Sequence, residues 1–253
     1  MIEEVEQLKV VTAETRAQMG VLAAAAVEAK INELLQSQES VNMIFAAAPS
    51  QNEFLAALTE KQIDWSRIKA FHMDEYIGLA ADAPQGFGNF LRQKLFEKVP
   101  FNEVHYLNGN ASDLDTECKR YELLLKQYPS DIVCLGIGEN THLAFNDPHV
   151  ADFKDNALVK VVTLDEQCRH QQVNDGCFKE VNEVPTQALT LTIPALFKSK
   201  YAYCIVPGEK KAQAVYYTIN SEISEKYPST ILKKHQDAIL YLDKDSSRLL
   251  IKD

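Results

Sequence analysis

The sequence predicts a three-layer αβα fold of the Rossmann-like kind, with a mostly parallel sheet and a single domain over residues 1–253. Two observations carry that expectation. Short, wholly apolar runs recur between helical patterns, and no internal repeat, low-complexity segment or Gly/Ser/Pro-rich linker divides the chain. A strand that is apolar along its whole length is buried on both faces, as in a parallel sheet with helices on each side.

The first ten or so residues show no clear pattern. From Thr12 the spacing predicts a helix to about Gln38, with Thr12 as N-cap, Glu14 in the first turn, and Met19, Leu22, Ala23, Ala26 and Val27 on one side. Val41 to Ala48, ending at Pro49, predicts the first buried strand. A helix around 52–62, an extended run from Ile68 to Met73, a helix around 86–97 ahead of Pro100 and a strand at 104–107 continue the alternation. Leu114, Cys118, Tyr121 and Leu125 mark an amphipathic helix, and Asp131 to Gly136 another buried strand. Further strands are expected at 158–163, 188–193, 201–206 and 238–242, with a helix from about Glu209 to Asn220.

Hydrophobic residues make up 46% of the chain and charged residues 25%, ordinary globular proportions. The net charge of −10 repels an extended phosphate backbone, so no nucleic-acid partner is expected. The N-terminus, Met1 to Glu6, is acidic where a signal peptide is basic, and no apolar run reaches the roughly 20 residues of a membrane helix. A soluble, cytoplasmic protein without membrane contact is expected. Cys118, Cys134, Cys168, Cys177 and Cys204 form no C-x-x-C pair and read as small buried thiols. The histidines lack metal-ligand spacing, so neither a metal nor another cofactor is expected.

In open α/β sheets ligands sit outside the carboxyl ends of the strands, so the residues following each apolar run carry the chemistry. Ser50, Gln51 and Asn52, entering a helix, suit an anion held by backbone N–H groups, although N-capping by Ser50 explains them equally well. Asp74 and Glu75 are adjacent in an extended segment and point to opposite sides, so at most one faces a pocket. His142 lies within a few residues of Glu139, Asn140 and Asp147. An imidazole oriented by a carboxylate moves protons near neutral pH, while a structural histidine fits the same pattern. Lys210 and Lys211 open a helix, an unfavourable place for a cation unless an anion binds there. Gly136-x-Gly138 has Thr141 at the third glycine position and is rejected as a dinucleotide motif.

The run Phe71-His72-Met73-Asp74-Glu75-Tyr76-Ile77-Gly78-Leu79, followed about 60 residues later by Gly136-x-Gly138-x-x-x-His142-Leu143-Ala144-Phe145-Asn146-Asp147-Pro148, resembles the glucosamine-6-phosphate deaminase family. The wider superfamily also holds 6-phosphogluconolactonases and galactosamine-6-phosphate isomerases. The resemblance spans nearly the whole chain and implies conversion of a 2-amino-2-deoxyhexose 6-phosphate to a ketohexose 6-phosphate plus ammonia. It implies Asp74 as the carrier of the C2 proton to C1, His142 as the proton carrier in ring opening, Asp147 as the acid that orients His142, and Lys211 as a phosphate ligand. It leaves a homo-oligomer open.

Three departures point to a divergent branch. Asn140 stands where the family has its ring-opening Asp, with a carboxylate one residue earlier at Glu139. Ser50-Gln51-Asn52-Glu53 replaces the usual phosphate loop. Asn174 occupies the place of the family's phosphate-binding Arg, with Arg169 the nearest guanidinium. Glu139 is expected to take over the lost carboxylate's work on His142, the alternative being that Asp147 does so alone. The other functional readings are a 6-phosphogluconolactonase-like hydrolase and a non-catalytic sugar-phosphate sensor.

Overall fold

The structure is a computed structural model and describes residues 2–250. The chain opens with a hairpin of β1 (Ile2–Val5) and β2 (Leu8–Ala13), followed by α1 (Arg16–Leu34) and β3 (Val41–Phe45). A 3-10 turn at Pro49–Gln51 leads into α2 (Asn52–Thr59), and β4 (Ile68–His72) is followed almost at once by β5 (Asp74–Tyr76). Next come α3 (Phe87–Leu91), which widens into a π turn over Arg92–Phe96, then β6 (Glu103–His105), α4 (Leu114–Gln127) and β7 (Ile132–Leu135). The rest is β8 (Val159–Thr163), α5 (Glu166–Asn174), β9 (Gln187–Leu191), α6 (Ile193–Phe197), β10 (Tyr201–Val206), α7 (Ala212–Asn220) and β11 (Ala238–Asp243).

Eight strands form the central sheet in the order β1-β2-β11-β10-β7-β3-β4-β6, parallel throughout except for β1 at the edge. Alternate residues of each inner strand feed two separate cores. Val41, Met43 and Phe45 of β3 join Met19, Val27 and Ile31 of α1 on one face. Ile44 joins Val133 and Leu135 of β7 and Tyr121 and Leu125 of α4 on the other. This two-sided burial is what the unbroken apolar runs predicted. Cys134, Cys168 and Cys204 are buried among apolar neighbours. Among the described residues, no helix is long and apolar enough to cross a membrane.

Four expectations need correction. Thr12 does not cap α1; it lies in β2, paired in register with Leu242, and Thr15 accepts the capping N–H of Gln18 at 3.2 Å. The helix stops at Leu34 rather than Gln38. The patternless first residues form the edge hairpin, whose strands are too short and polar to announce themselves. The runs at 158–163 and 188–193 are strands, but they leave the main sheet and form a small antiparallel sheet in the order β5-β9-β8. An apolar run reports that a strand is covered, not which strand it pairs with.

From β3 the chain runs outward through β4 to β6, whereas β7, β10 and β11 lie on the other side of it. The loops after β3 and β7 therefore diverge, and this switch point opens a crevice at the carboxyl edge of the sheet. One close approach keeps the layer beside it in place. α1 crosses α2 at Gly20, where a Cβ would sit 2.7 Å from the carbonyl carbon of Glu53 and 2.8 Å from the nitrogen of Phe54. Backbone cannot yield as a side chain does. Gly20→Ala is expected to destabilise the fold by about 2 kcal/mol through overpacking, read as a lower urea midpoint; an unchanged midpoint would mean that the two helices can slide apart freely.

Candidate active site

The cavity at the switch point is lined from four strand ends: Ala46–Ala48, Ser50 and Gln51 after β3, Met73 and Asp74 after β4, Gly136–Gly138 and His142 after β7, and Lys211 after β10. α5 closes it with Gln171 and Gln172, and Phe87, Ala144 and Phe145 supply the apolar wall.

Asp74 begins β5 and is only 6% exposed, with its Oδ1 buried and without a hydrogen-bond partner. Burial, and next the charge of Glu75, push its carboxyl well above the usual carboxylate range. Such a group binds a proton avidly. Its neighbour points to the other side, as alternation requires. Glu75 accepts N–H groups from Tyr76, Phe87 and Gly88 at 2.8–3.0 Å and serves as the N-terminal anchor of α3. His72 fixes the main chain of Asp74: Leu107 N–H donates to Nε2 at 3.0 Å, so Nδ1 carries the proton and donates to the Asp74 carbonyl at 2.9 Å. Burial holds the His72 pKa down to about 4.

Opposite Asp74 stands a second carboxylate of contrary character. Asp147 is fully buried, yet its carboxyl lies below the ordinary range. Burial pushes it up, but His142, Asn140 and the Asp165 N–H together outweigh that. His142 Nδ1 lies 3.0 Å from Asp147 Oδ1, Asn140 Nδ2 donates to the same oxygen at 2.9 Å, and Asp165 N–H donates to Oδ2 at 3.2 Å. The imidazole is pressed against Gly138, where a Cβ would sit 2.2–2.4 Å from ring atoms. Cys168 is within ligand reach of the pair: one donor atom each from His142, Asp147 and Cys168 lie within 4.8 Å of one another. Burial chiefly, then the charge of Asp147, raises the pKa of this thiol well above its ordinary value.

The sequence-derived site residues divide into two groups. Asp74, His142, Lys211, Ser50 and Gln51 line one cavity, with Asp147 directly behind His142. Asn52 heads α2 and does not line the cavity. Arg169 does not reach it either, because its guanidinium is spent on the carbonyls of Val181 and Val184 at 2.6–3.3 Å. Glu139 is not the partner of His142; Asp147 is. The Glu139 N–H donates to Gln171 Oε1 at 2.8 Å, its Oε1 is buried without a partner, and its charge acts on Lys211. Asn140 bridges Asp147 and Asp165, donating to each at 2.9 and 3.0 Å, so a carboxylate here would crowd three acids together. Sequence reading missed Gln171 and Gln172 because α5 is polar and lacks helical periodicity. The one available signal was Asp165, whose side chain accepts the Cys168 N–H at 2.6 Å as an N-cap ahead of Glu166.

The family of glucosamine-6-phosphate isomerases and 6-phosphogluconolactonases matches residues 14–241, and the chain belongs to it. Over 219 residues it is 34% identical to a glucosamine-6-phosphate deaminase of Bacillus cereus strain B4264, covering 87% of this chain and 82% of that one. The corresponding protein of Bacillus thuringiensis strain Al Hakam is 33% identical over the same span and shares. Among solved structures, a monomeric glucosamine-6-phosphate deaminase superposes with a TM-score of 0.86 at 29% identity, covering 95% of this chain and 99% of that one. A 6-phosphogluconolactonase of Thermotoga maritima reaches a TM-score of 0.75 at 19% identity, covering 93% and 99%, a likeness of fold alone.

Two outcomes follow from this geometry. Gly138→Ala is expected to displace the His142 ring while leaving the fold intact: kcat falls at least ~10²-fold, the scale of a lost general acid/base, with little change in the thermal midpoint. A crystal structure of that variant with the ring unmoved contradicts this. His72 is neutral when folded at pH values where the unfolded chain already binds its proton. It therefore costs stability as pH falls from about 6.5 toward 4, by up to about 1.4 kcal/mol per pH unit. Replacing it with glutamine is expected to remove that component of the acid slope in denaturant titrations, and an identical slope would place the protonation elsewhere.

Proposed function

We propose that this chain, as one domain over residues 1–253, converts a 2-amino-2-deoxyhexose 6-phosphate to the ketohexose 6-phosphate and ammonia, in the cytoplasm. The observation that carries the reading is the unpartnered, proton-avid carboxylate of Asp74 in the same cavity as the His142–Asp147 pair. The deaminase names of relatives more than 30% identical support it.

His142, with Nδ1 held by Asp147, has Nε2 left to take the proton of the anomeric hydroxyl and return it to the ring oxygen, which opens the sugar. Asp74 removes the C2 proton of the open-chain aldehyde while the C2 ammonium gives up a proton to the aldehyde oxygen, giving an enolamine, and Asp74 then delivers its proton to C1. This leaves a C1 alcohol and a C2 iminium. Water adds at C2, ammonia departs, and the C2 ketone remains; the sequence is redox-neutral. Asp147 stabilises the imidazolium as it forms and holds the ring's orientation. Lys211 and the turn at Ser50–Gln51 hold the phosphate end, because Lys211 is the cation that reaches the cavity.

Ammonia release and ketose formation from 6-phosphorylated 2-amino sugars test the reaction; hydrolysis of a 6-phosphogluconolactone with no ammonia from any amino sugar would favour the lactonase reading. Asp74→Asn is expected to lower turnover by more than ~10²-fold, and solvent deuterium entering C1 at the wild-type rate in that variant would remove Asp74 from the role. The raised pKa of Asp74 means that its basic form accumulates only above the ordinary carboxylate value of about 4. The acid limb of kcat/KM should therefore lie above that value, with activity lost as pH falls through it.

A further inference from the structure

We propose that the Lys211 end of the cavity accepts a ligand terminus bearing one negative charge, so that the 6-phosphate is taken up as its monoanion and the dianion is disfavoured. This rests on the reading of the cavity as an amino-sugar-phosphate site.

Lys211 is the single cationic side chain among the residues lining the cavity and is 6% exposed. The other cations nearby are committed. Arg16 donates to both oxygens of Glu53 at 3.0 and 2.9 Å and to the Pro49 carbonyl at 3.3 Å. Arg169 is spent on Val181 and Val184, and Lys210 donates to the Asn174 carbonyl at 3.0 Å. The polar side chains beside Lys211 are amides and a hydroxyl, and two of them are partly used: Gln51 Nε2 donates to the Ile205 carbonyl at 3.1 Å, and Gln171 Oε1 accepts the Glu139 N–H.

Two carboxylates act on the same ammonium. Glu139 comes from the loop after β7 and Asp175 from the end of α5, and Gln171 sits between the two segments: its Oε1 accepts the Glu139 backbone N–H and its Nε2 donates to Asp175 Oδ2 at 3.4 Å. Glu139 Oε1 is buried with no hydrogen-bond partner, so its charge is poorly screened. The remaining groups acting on Lys211 are the Cys168 thiol and Lys210, with Asp74 and His142 elsewhere on the cavity wall. Burial pulls the Lys211 pKa down, and Asp175 and then Glu139 pull it back. Both acids oppose that fall without reversing it, and the same acids repel a second negative charge on the ligand. One positive charge faces one negative charge; the second finds amides and two anions.

The test is calorimetric binding of the full chain to 2-amino-2-deoxyglucitol carrying a 6-phosphate or a 6-sulfate, at pH 5.5 and pH 7.5 and constant ionic strength. The alditols lack a carbonyl and are not turned over. The sulfate ester is a monoanion at both pH values, whereas the phosphate ester loses its second proton near pH ~6. The expected result is about 20-fold weaker binding of the phosphate at the higher pH, the fall in its monoanion fraction, with the sulfate changing less than about threefold. Glu139→Gln, or Asp175→Asn if that variant fails to fold, should recover phosphate binding at pH 7.5 at least fivefold and leave sulfate binding nearly unchanged. Tighter phosphate binding at pH 7.5 would overturn the proposal. So would a parallel loss of both esters, which would trace the effect to Lys211 and not to the ligand. Ammonia release assayed alongside separates the two readings: turnover together with tighter dianion binding overturns the charge preference and leaves the activity standing, whereas the expected binding pattern without ammonia overturns the activity.

Discussion

The buried carboxylate of Asp147 ties the cavity wall together. It has no solvent to satisfy it, and its contacts come from two separate stretches of chain: His142 and Asn140 from the loop after β7, and the backbone of Asp165 at the entry to α5. A buried charge left with fewer partners is strongly destabilising, so these segments are held in one arrangement. Asp165 in turn caps α5, and α5 carries Gln171 and Gln172 to the cavity. Pull out Asp147, and both the orientation of His142 and the seating of α5 lose their support.

The loop that performs this gathering is held in uncommon backbone conformations. Thr141 has φ +73° and Ala144 φ +49°, neither of them glycine. A β-branched residue in the left-handed region costs on the order of 1–2 kcal/mol and persists only where surroundings impose it. Here they do. Gly138 N–H donates to the His142 carbonyl, Thr141 N–H to the Gly138 carbonyl, and Ser229 N–H to the Thr141 carbonyl, while Asn146 bonds the carbonyls of Leu143 and Leu191. The strain is concentrated in the segment that sets the imidazole beside its carboxylate.

Two acids, Asp74 on the cavity wall and Asp147 behind His142, are pushed in opposite directions by their surroundings. Asp74 Oδ1 is buried without a donor and the group keeps a high proton affinity; Asp147 is buried with two hydrogen-bond donors and His142 Nδ1 at 3.0 Å, and loses it. The two carboxylates thus differ in proton affinity although both are buried. Glu75, next to Asp74 in the chain, spends its charge on the N-terminus of α3. Adjacent acids thus face a cavity and a helix terminus separately, because a strand points successive side chains to opposite sides.

Much of this was legible in the chain. Unbroken apolar runs announced a doubly covered parallel sheet, and the rule that ligands gather at strand ends picked out Ser50, Asp74, His142 and Lys211, which share one cavity. Those inferences rest on local pattern, and local pattern survives folding. What depended on neighbours distant in sequence did not. The departure of β8 and β9 to a second sheet, the commitment of Arg169 to the carbonyls of Val181 and Val184, the turning of Glu139 toward Lys211 and the bridging role of Asn140 were decided by the tertiary structure. Periodicity records whether a side chain is covered. Which donor or charge covers it depends on the path of loops through strained dihedrals and on a polar helix without a hydrophobic signature, and neither is written in the spacing of the residues.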